Sequence, residues 1–390
     1  MLLAGCVSAV SPAPRVAAAG LSPAQAEKAE RNLHLFDTVW STVAQRYYDP
    51  RLHGIDWRAA AVTYGPQAAS AADDRALYDV VNGLLSLLGD RHTGALTPEQ
   101  ARDFYAQQRA MTGFRILRAG AQWAVYEVLP GSPAEAAGVR SGWVVRLRNG
   151  KPLGEHLRLP PLREGEVVRW DFLDGSDKPV ALSLTATLVS IAHQEARVLP
   201  GGLAYLRFDD FDWSRMRWLR RQLKAHRDAP GVVIDLRENP GGTLLSLDFM
   251  VGEFFRRGFG YAESIDRKGG RHELRALTFG SAHYAGRVAI LVERISASAA
   301  EIFAAAMQEQ HRGTVVGQPT AGYVLSARMR TLPDGGLLEY SDRDLHMTDG
   351  RRIEGSGVTP DIVPPATTLD DLRAGRDPVL DAAVRALRQS

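Results

Sequence analysis

Ile295-Ser296-Ala297-Ser298-Ala299-Ala300-Glu301-Ile302 follows directly on the apolar run Val288-Ala289-Ile290-Leu291-Val292 and opens a helical stretch, Phe303 to Gln310. A continuous apolar run of that length reads as a strand buried on both faces, as in a parallel sheet. A hydroxyl at the turn from such a strand into a helix is exposed. It is also backed by the free N–H groups of the helix start, which can stabilise a developing oxyanion. A serine there still needs a base, because its own pKa leaves it inert. Taken alone, the stretch reads better as a helix start capped by Ser296 and Ser298.

Working outward, three more stretches bear on that choice. Asp235-Leu236-Arg237-Glu238-Asn239-Pro240-Gly241-Gly242 follows an earlier buried-type strand, Gly231 to Leu236. Thr314-Val315-Val316-Gly317-Gln318-Pro319-Thr320-Ala321-Gly322 follows the serine helix, and Glu354-Gly355-Ser356-Gly357-Val358-Thr359-Pro360-Asp361 stands near the end. A strand at Ala204–Phe208, a helix from Ser214 to Ala225 and a helix from about Leu244 to Phe255 complete an alternation of strand and helix. Such spacing argues for crossover units in one twisted sheet.

The chain before residue 200 has two other textures. Ser22-Pro23-Ala24-Gln25 is a capping box with proline at the first helical position, and Phe36, Val39, Trp40, Val43 and Tyr47 recur at helical spacing behind it. A second helical stretch, about Arg75 to Leu88, ends at the loop Gly89-Asp90-Arg91-His92-Thr93-Gly94. From Thr112 short strands take over: Phe114–Leu117 and Trp123–Val128, then the short helix of Gly131-Ser132-Pro133-Ala134 closed by Gly138. Val144–Arg148 follows and meets the turn Asn149-Gly150.

Composition bounds the function classes. The 390 residues suffice for two or three domains of ~150 residues each. With 45% hydrophobic and 24% charged residues, disorder is excluded as the main state. Forty-seven basic against 45 acidic residues give no electrostatic case for nucleic acid. No apolar run reaches the ~18 residues that a spanning helix needs. One cysteine, Cys6, excludes an internal disulfide framework, and the histidines form no His-x-x-x-His group with a third ligand, so neither a metal nor a cofactor is expected.

Leu3-Ala4-Gly5-Cys6 has the pattern of a bacterial lipoprotein cleavage site, although only five residues precede the thiol. The expectation is a protein lipid-anchored through Cys6 on the periplasmic side of a bacterial membrane. Membrane contact would then be through that anchor alone.

Residues 112–188 resemble a PDZ domain, with Trp143 where that family has aspartate after Gly142. Together with the Asp-Leu-Arg-x-Asn-Pro-Gly-Gly, Ser-Ala-Ser-Ala-x-Glu and Gly-Val-x-Pro-Asp stretches, they resemble the S41 family of serine peptidases, the C-terminal processing and tricorn-core type. The resemblance covers nearly the whole chain from residue 22. After the signal remnant and tether that the Cys6 pattern suggests over 1–20, it implies a multidomain α+β and α/β protein with an N-terminal helical domain over 21–110. A PDZ-like β-domain over 111–188, an α/β ClpP/crotonase-like peptidase core over 189–368 and a C-terminal helix over 369–390 follow.

The resemblance also implies site residues. Ser298 matches the nucleophile, and the oxyanion hole would combine the N–H of Ala299 with one from Gly241 or Gly242. The processing-protease branch has a lysine 25 residues after the serine. Here that position is Tyr323, and Ala327 stands where that branch has a glutamine, so a Ser–Lys dyad is impossible there. Tyrosine, with a pKa of ~10, is a poor replacement base. The tricorn-like branch uses Ser, His and Glu. Its Leu-Gly-Asp-x-His loop matches Leu88-Gly89-Asp90-Arg91-His92, and its glutamate matches Glu354. A Ser298–His92–Glu354 triad acting on protein or peptide substrates, with tails presented by the PDZ-like domain, is therefore expected. The competing expectation is a non-catalytic scaffold that binds peptides or apolar ligands.

Overall fold

A computed structural model describes residues 22–154, 159–278 and 283–389. Cys6 and the stretch 1–20 lie outside them. The described chain forms two compact units that do not follow five consecutive segments. The first unit draws on the chain up to residue 102, on 260–275 and on 322–356; the second takes the rest.

The first unit starts with the helix Pro23–Arg46, whose capping box is made: the Ser22 N–H donates to Gln25 Oε1 and the Gln25 N–H to Ser22 Oγ. Its apolar face buries Phe36, Val39, Trp40 and Val43, each contributing about 1.5–3 kcal/mol when fully removed from water. The helices Trp57–Ala69 and Asp74–Ser86 close over it, and Trp40 and Trp57 exchange indole hydrogen bonds with each other's carbonyls. An antiparallel sheet supplies the other wall. Its long strand Leu337–Met347 pairs with Ser326–Thr331 along one edge, and with Gly94–Leu96 and Gly260–Asp266 along the other. Arg271–Arg275 completes the order outside Gly260–Asp266. Leu332, Leu338 and Tyr340 from this sheet share one core with Phe36, Trp40 and Leu84.

The second unit holds the alternation read from the sequence. Leu203–Phe208, Gly231–Asp235, Arg287–Val292 and Thr314–Gly317 lie side by side and parallel, with Gln194–Leu199 antiparallel at one edge. Every residue of Gly231–Asp235 is buried, the burial that its unbroken apolar run calls for. The helices Trp213–Ala225, Leu244–Gly252, Ala299–Glu309 and Pro378–Gln389 accompany the sheet.

The same unit carries the short-strand region. Phe114–Ala119, Gln122–Val128, Val144–Arg148, Val167–Leu173 and Pro179–Thr185 form an antiparallel sheet around Val125, Val145, Trp170 and Phe172. Asn149 and Gly150 both have positive φ, 49° and 74°, as a two-residue hairpin with the right twist requires. Ion pairs tie this sheet to the parallel one. The Arg207 guanidinium donates to Glu127 and Glu238, and Arg115 pairs with the same two carboxylates.

Candidate active site

Ser298 is the residue before the helix Ala299–Glu309, with φ 54° and ψ −123°. That is the first central position of a type II′ turn, where glycine is usual, so a serine there costs roughly 1–3 kcal/mol of backbone strain. The strain is held by neighbours. The Ser298 N–H donates to Glu301 Oε2 at 3.1 Å, and the other Glu301 oxygen accepts from the Thr320 hydroxyl. Thr320 Oγ1 in turn accepts the Val358 N–H at 2.7 Å. Three separate sequence motifs thus converge on one buried carboxylate.

Ser296 plays a different part. It is fully buried, its hydroxyl donates to the Leu236 carbonyl at 2.9 Å, and it accepts the Glu293 N–H at 2.9 Å. Both its hydrogen-bonding directions are used to hold the ends of two strands together. Ser298 is half-buried and stands at the helix start, in a capping box with Glu301.

Asn239 fixes the Pro-Gly-Gly turn against the serine. Its side chain donates to the Phe208 carbonyl and accepts the Gly241 N–H at 2.8 Å, while its carbonyl accepts the Ala297 N–H. Gly241 has φ 110°, and a Cβ on it would stand 2.6 Å from Ser298 Cβ and 2.9 Å from the Ala299 nitrogen. Only glycine permits that approach. Because Asn239 takes the Gly241 N–H, this glycine cannot offer it to a substrate. Of the two glycines, Gly242 is the one whose N–H has no acceptor among the described residues, and the same holds for Ala299. A Cβ on Gly242 would meet Asp210 Oδ1 at 2.5 Å and the Phe211 nitrogen at 2.6 Å.

His92, Tyr323 and Glu354 belong to the first unit. Asp90 folds the His92 loop: one oxygen accepts the His92 and Thr93 N–H groups at 2.9 and 2.7 Å, the other the Tyr47 and Thr93 hydroxyls. Burial holds the His92 imidazole below its ordinary pKa, against the opposing pull of Asp90. Its Nδ1 is buried and has no hydrogen-bond partner. Glu354 Oε2 accepts the Val324 and Leu325 N–H groups at 2.7 and 3.2 Å, and burial raises its pKa in spite of them. No hydrogen bond joins His92 to Glu354 within this unit. The carboxylate–imidazole contact of a triad is therefore absent from this arrangement. Tyr323 lies under the Arg91 guanidinium, 4.8 Å from the ring centre.

Among the described residues no group of three or more His, Cys, Asp or Glu could hold a metal ion, and no helix is long and apolar enough to cross a membrane. Two residues that sequence reasoning passed over are Asn239 and Asp90. Both were inside quoted motifs, but their spacing gives no sign that they are clamps rather than contacts for a substrate.

Several known proteins are similar to this chain. Residues 28–86 match the tricorn protease C1 domain. A probable CtpA-like serine protease of Staphylococcus epidermidis is 26% identical over 303 residues, covering 75% of this chain and 61% of its own length. A putative tricorn protease homolog 2 of Streptomyces coelicolor is 26% identical over 379 residues, 90% of this chain and 32% of that protein. The chain thus spans about three-fifths or less of the length of these relatives. Among solved structures, the photosystem II D1 C-terminal processing protease superposes with a TM-score of 0.60 at 23% identity, covering 92% of this chain and 97% of the other, a likeness of fold. Residues 202–363, which carry the Asp-Leu-Arg, serine and Gly-Val-x-Pro-Asp stretches, match peptidase family S41.

Proposed function

We propose that this chain is a serine-type peptidase that transfers the acyl part of a peptide bond to Ser298 and then to water. The observation that carries the reading is the strained turn at Ser298, with the unclaimed N–H of Ala299 next in sequence and that of Gly242 next to Gly241, the glycine packed on Ser298. Donors without acceptors next to a forced, half-exposed hydroxyl are what an oxyanion hole requires. In this reading His92 is the base. It takes the Ser298 proton as Oγ attacks the carbonyl carbon and returns it to the leaving amine as the tetrahedral intermediate collapses. Burial favours the neutral imidazole, the form that can accept a proton. Glu354 supplies negative charge for the imidazolium, and turning it from the Val324 and Leu325 amides toward Nδ1 is part of assembling the site.

The substrates proposed are proteins or peptides, held with the help of the PDZ-like region 111–188, which would take a C-terminal tail. We further propose an extracytoplasmic, periplasmic location with Cys6 as the lipid-anchored residue. A second reading, a non-catalytic scaffold that binds peptides or apolar ligands, draws support from one observation: the partnerless His92 Nδ1.

A fluorophosphonate probe separates the two readings, since it reacts only with an activated serine. Labelling is expected in the full chain and in Ser296→Ala, and is lost in Ser298→Ala. An unlabelled but folded wild-type chain would make the scaffold the better account.

A further inference from the structure

The side chain at 323 is where this chain departs from the lysine-using branch, and its surroundings give it another task. We infer that Arg91 and Tyr323 form a positioning pair that ties the loop carrying His92 to the segment that holds Glu354. The inference rests on the reading of His92 as the base.

Asp90 secures the backbone of the loop, but every one of its hydrogen bonds goes to backbone N–H groups or to Tyr47 and Thr93. None reaches the His92 ring, and Nδ1 has no partner of its own. The ring therefore depends on how its immediate neighbours are pinned. Arg91, one residue earlier, places its guanidinium 4.8 Å from the Tyr323 ring centre, inside the range where a cation is attracted to a ring face.

Tyr323 is itself at the centre of a clamp. Gly322 accepts the Gly355 N–H at 2.8 Å, and Val324 and Leu325 donate to Glu354. Residues 322–325 thus grip the 354–355 turn from both sides of Tyr323. An Arg91–Tyr323 contact joins that clamp to the His92 loop. A lysine at 323 could not serve, because two cations would face each other.

The pair should be visible in the titration of His92, whose pKa is lowered by burial and raised by Asp90. Asp90 in turn acts on Glu339 and Glu354, both raised by burial first. A loosened loop readmits water to the ring, and the pKa then moves back up toward the ordinary value.

The test follows the His92 imidazole by NMR in the full chain, in a Ser298→Ala background that prevents self-cleavage. Arg91→Ala and Tyr323→Leu should each raise the His92 pKa, Tyr323→Phe should leave it in place because the ring face remains, and the Arg91→Ala/Tyr323→Leu double variant should shift no further than either single. With Ser298 restored, Arg91→Ala and Tyr323→Leu should each lower kcat/KM by about two- to fivefold. A shift in Tyr323→Phe as large as in Tyr323→Leu, additive single shifts, or no shift at all would overturn the pairing. Absence of any peptidase activity in the wild type would sink the peptidase reading instead, and the NMR result would still judge the pair.

Discussion

Ser296 and Ser298 are two positions apart and have the same side chain, yet their surroundings oppose each other. Removing the Ser296 hydroxyl strands the Leu236 carbonyl and the Glu293 N–H in the interior, so Ser296→Ala should lower stability by about 1–3 kcal/mol. Ser298→Gly should do the reverse and raise the melting temperature, because glycine adopts φ 54° without strain. If both variants melt alike, the division between anchor and strained turn is wrong. A pH dependence follows from the role proposed for His92. Since burial lowers its pKa, the acid limb of kcat/KM should fall below the ~6.5 of an ordinary histidine. The stability sign follows: below ~6.5 the unfolded chain binds the proton that folded His92 refuses, so this residue's contribution is lost as pH falls through that range. A limb above 7 would point away from His92.

At the scale of elements, continuous apolar runs were legible because burial on both faces leaves no room for polar residues. Val232, Val233 and Ile234, and the run 288–292, are the examples. The strand Ser326–Thr331 was not legible. Its Arg328, Met329, Arg330 and Thr331 are all exposed, and its pairing partner supplies the burial instead. The helix Trp57–Ala69 escaped for another reason: Gly65 and Pro66 interrupt an alanine-rich stretch with little contrast between its faces. In the site, the motif spelled out Ser298, Ala299 and the glycine pair. That Asn239 takes the Gly241 N–H depends on where a side-chain amide points, which no spacing encodes. The ion cluster between the two sheets of the second unit is likewise invisible in sequence order. Arg207→Ala would leave Glu127 and Glu238 with Arg115 alone, at a cost of roughly 2–4 kcal/mol. A denaturation midpoint unchanged by that substitution would show the cluster to be energetically idle.

For the molecule as a whole, the consecutive segments expected from texture give way to units the chain enters more than once. The helices of residues 23–86 share their core with Leu332, Leu338 and Tyr340. A fragment ending at residue 102 should accordingly expose an apolar face, bind a hydrophobic dye and melt without a sharp transition; a cooperative melt would refute this dependence. The same interleaving bears on the order of events during synthesis. Thr93 and Ser341 are hydrogen-bonded across 248 residues of sequence, and the strand Gly94–Leu96 has its ladder partner in the same distant stretch. Closing so large a loop is entropically slow, and no local contact can substitute for it. While the polypeptide is still emerging, the loop that bears His92 has no strand to lean on. Ser298 and its turn are then already translated, while the His92 loop waits for the arrival of residues 337–347. Topology alone thus acts as a delay: the His92 loop gains its strand partners only after the Ser298 turn has been made.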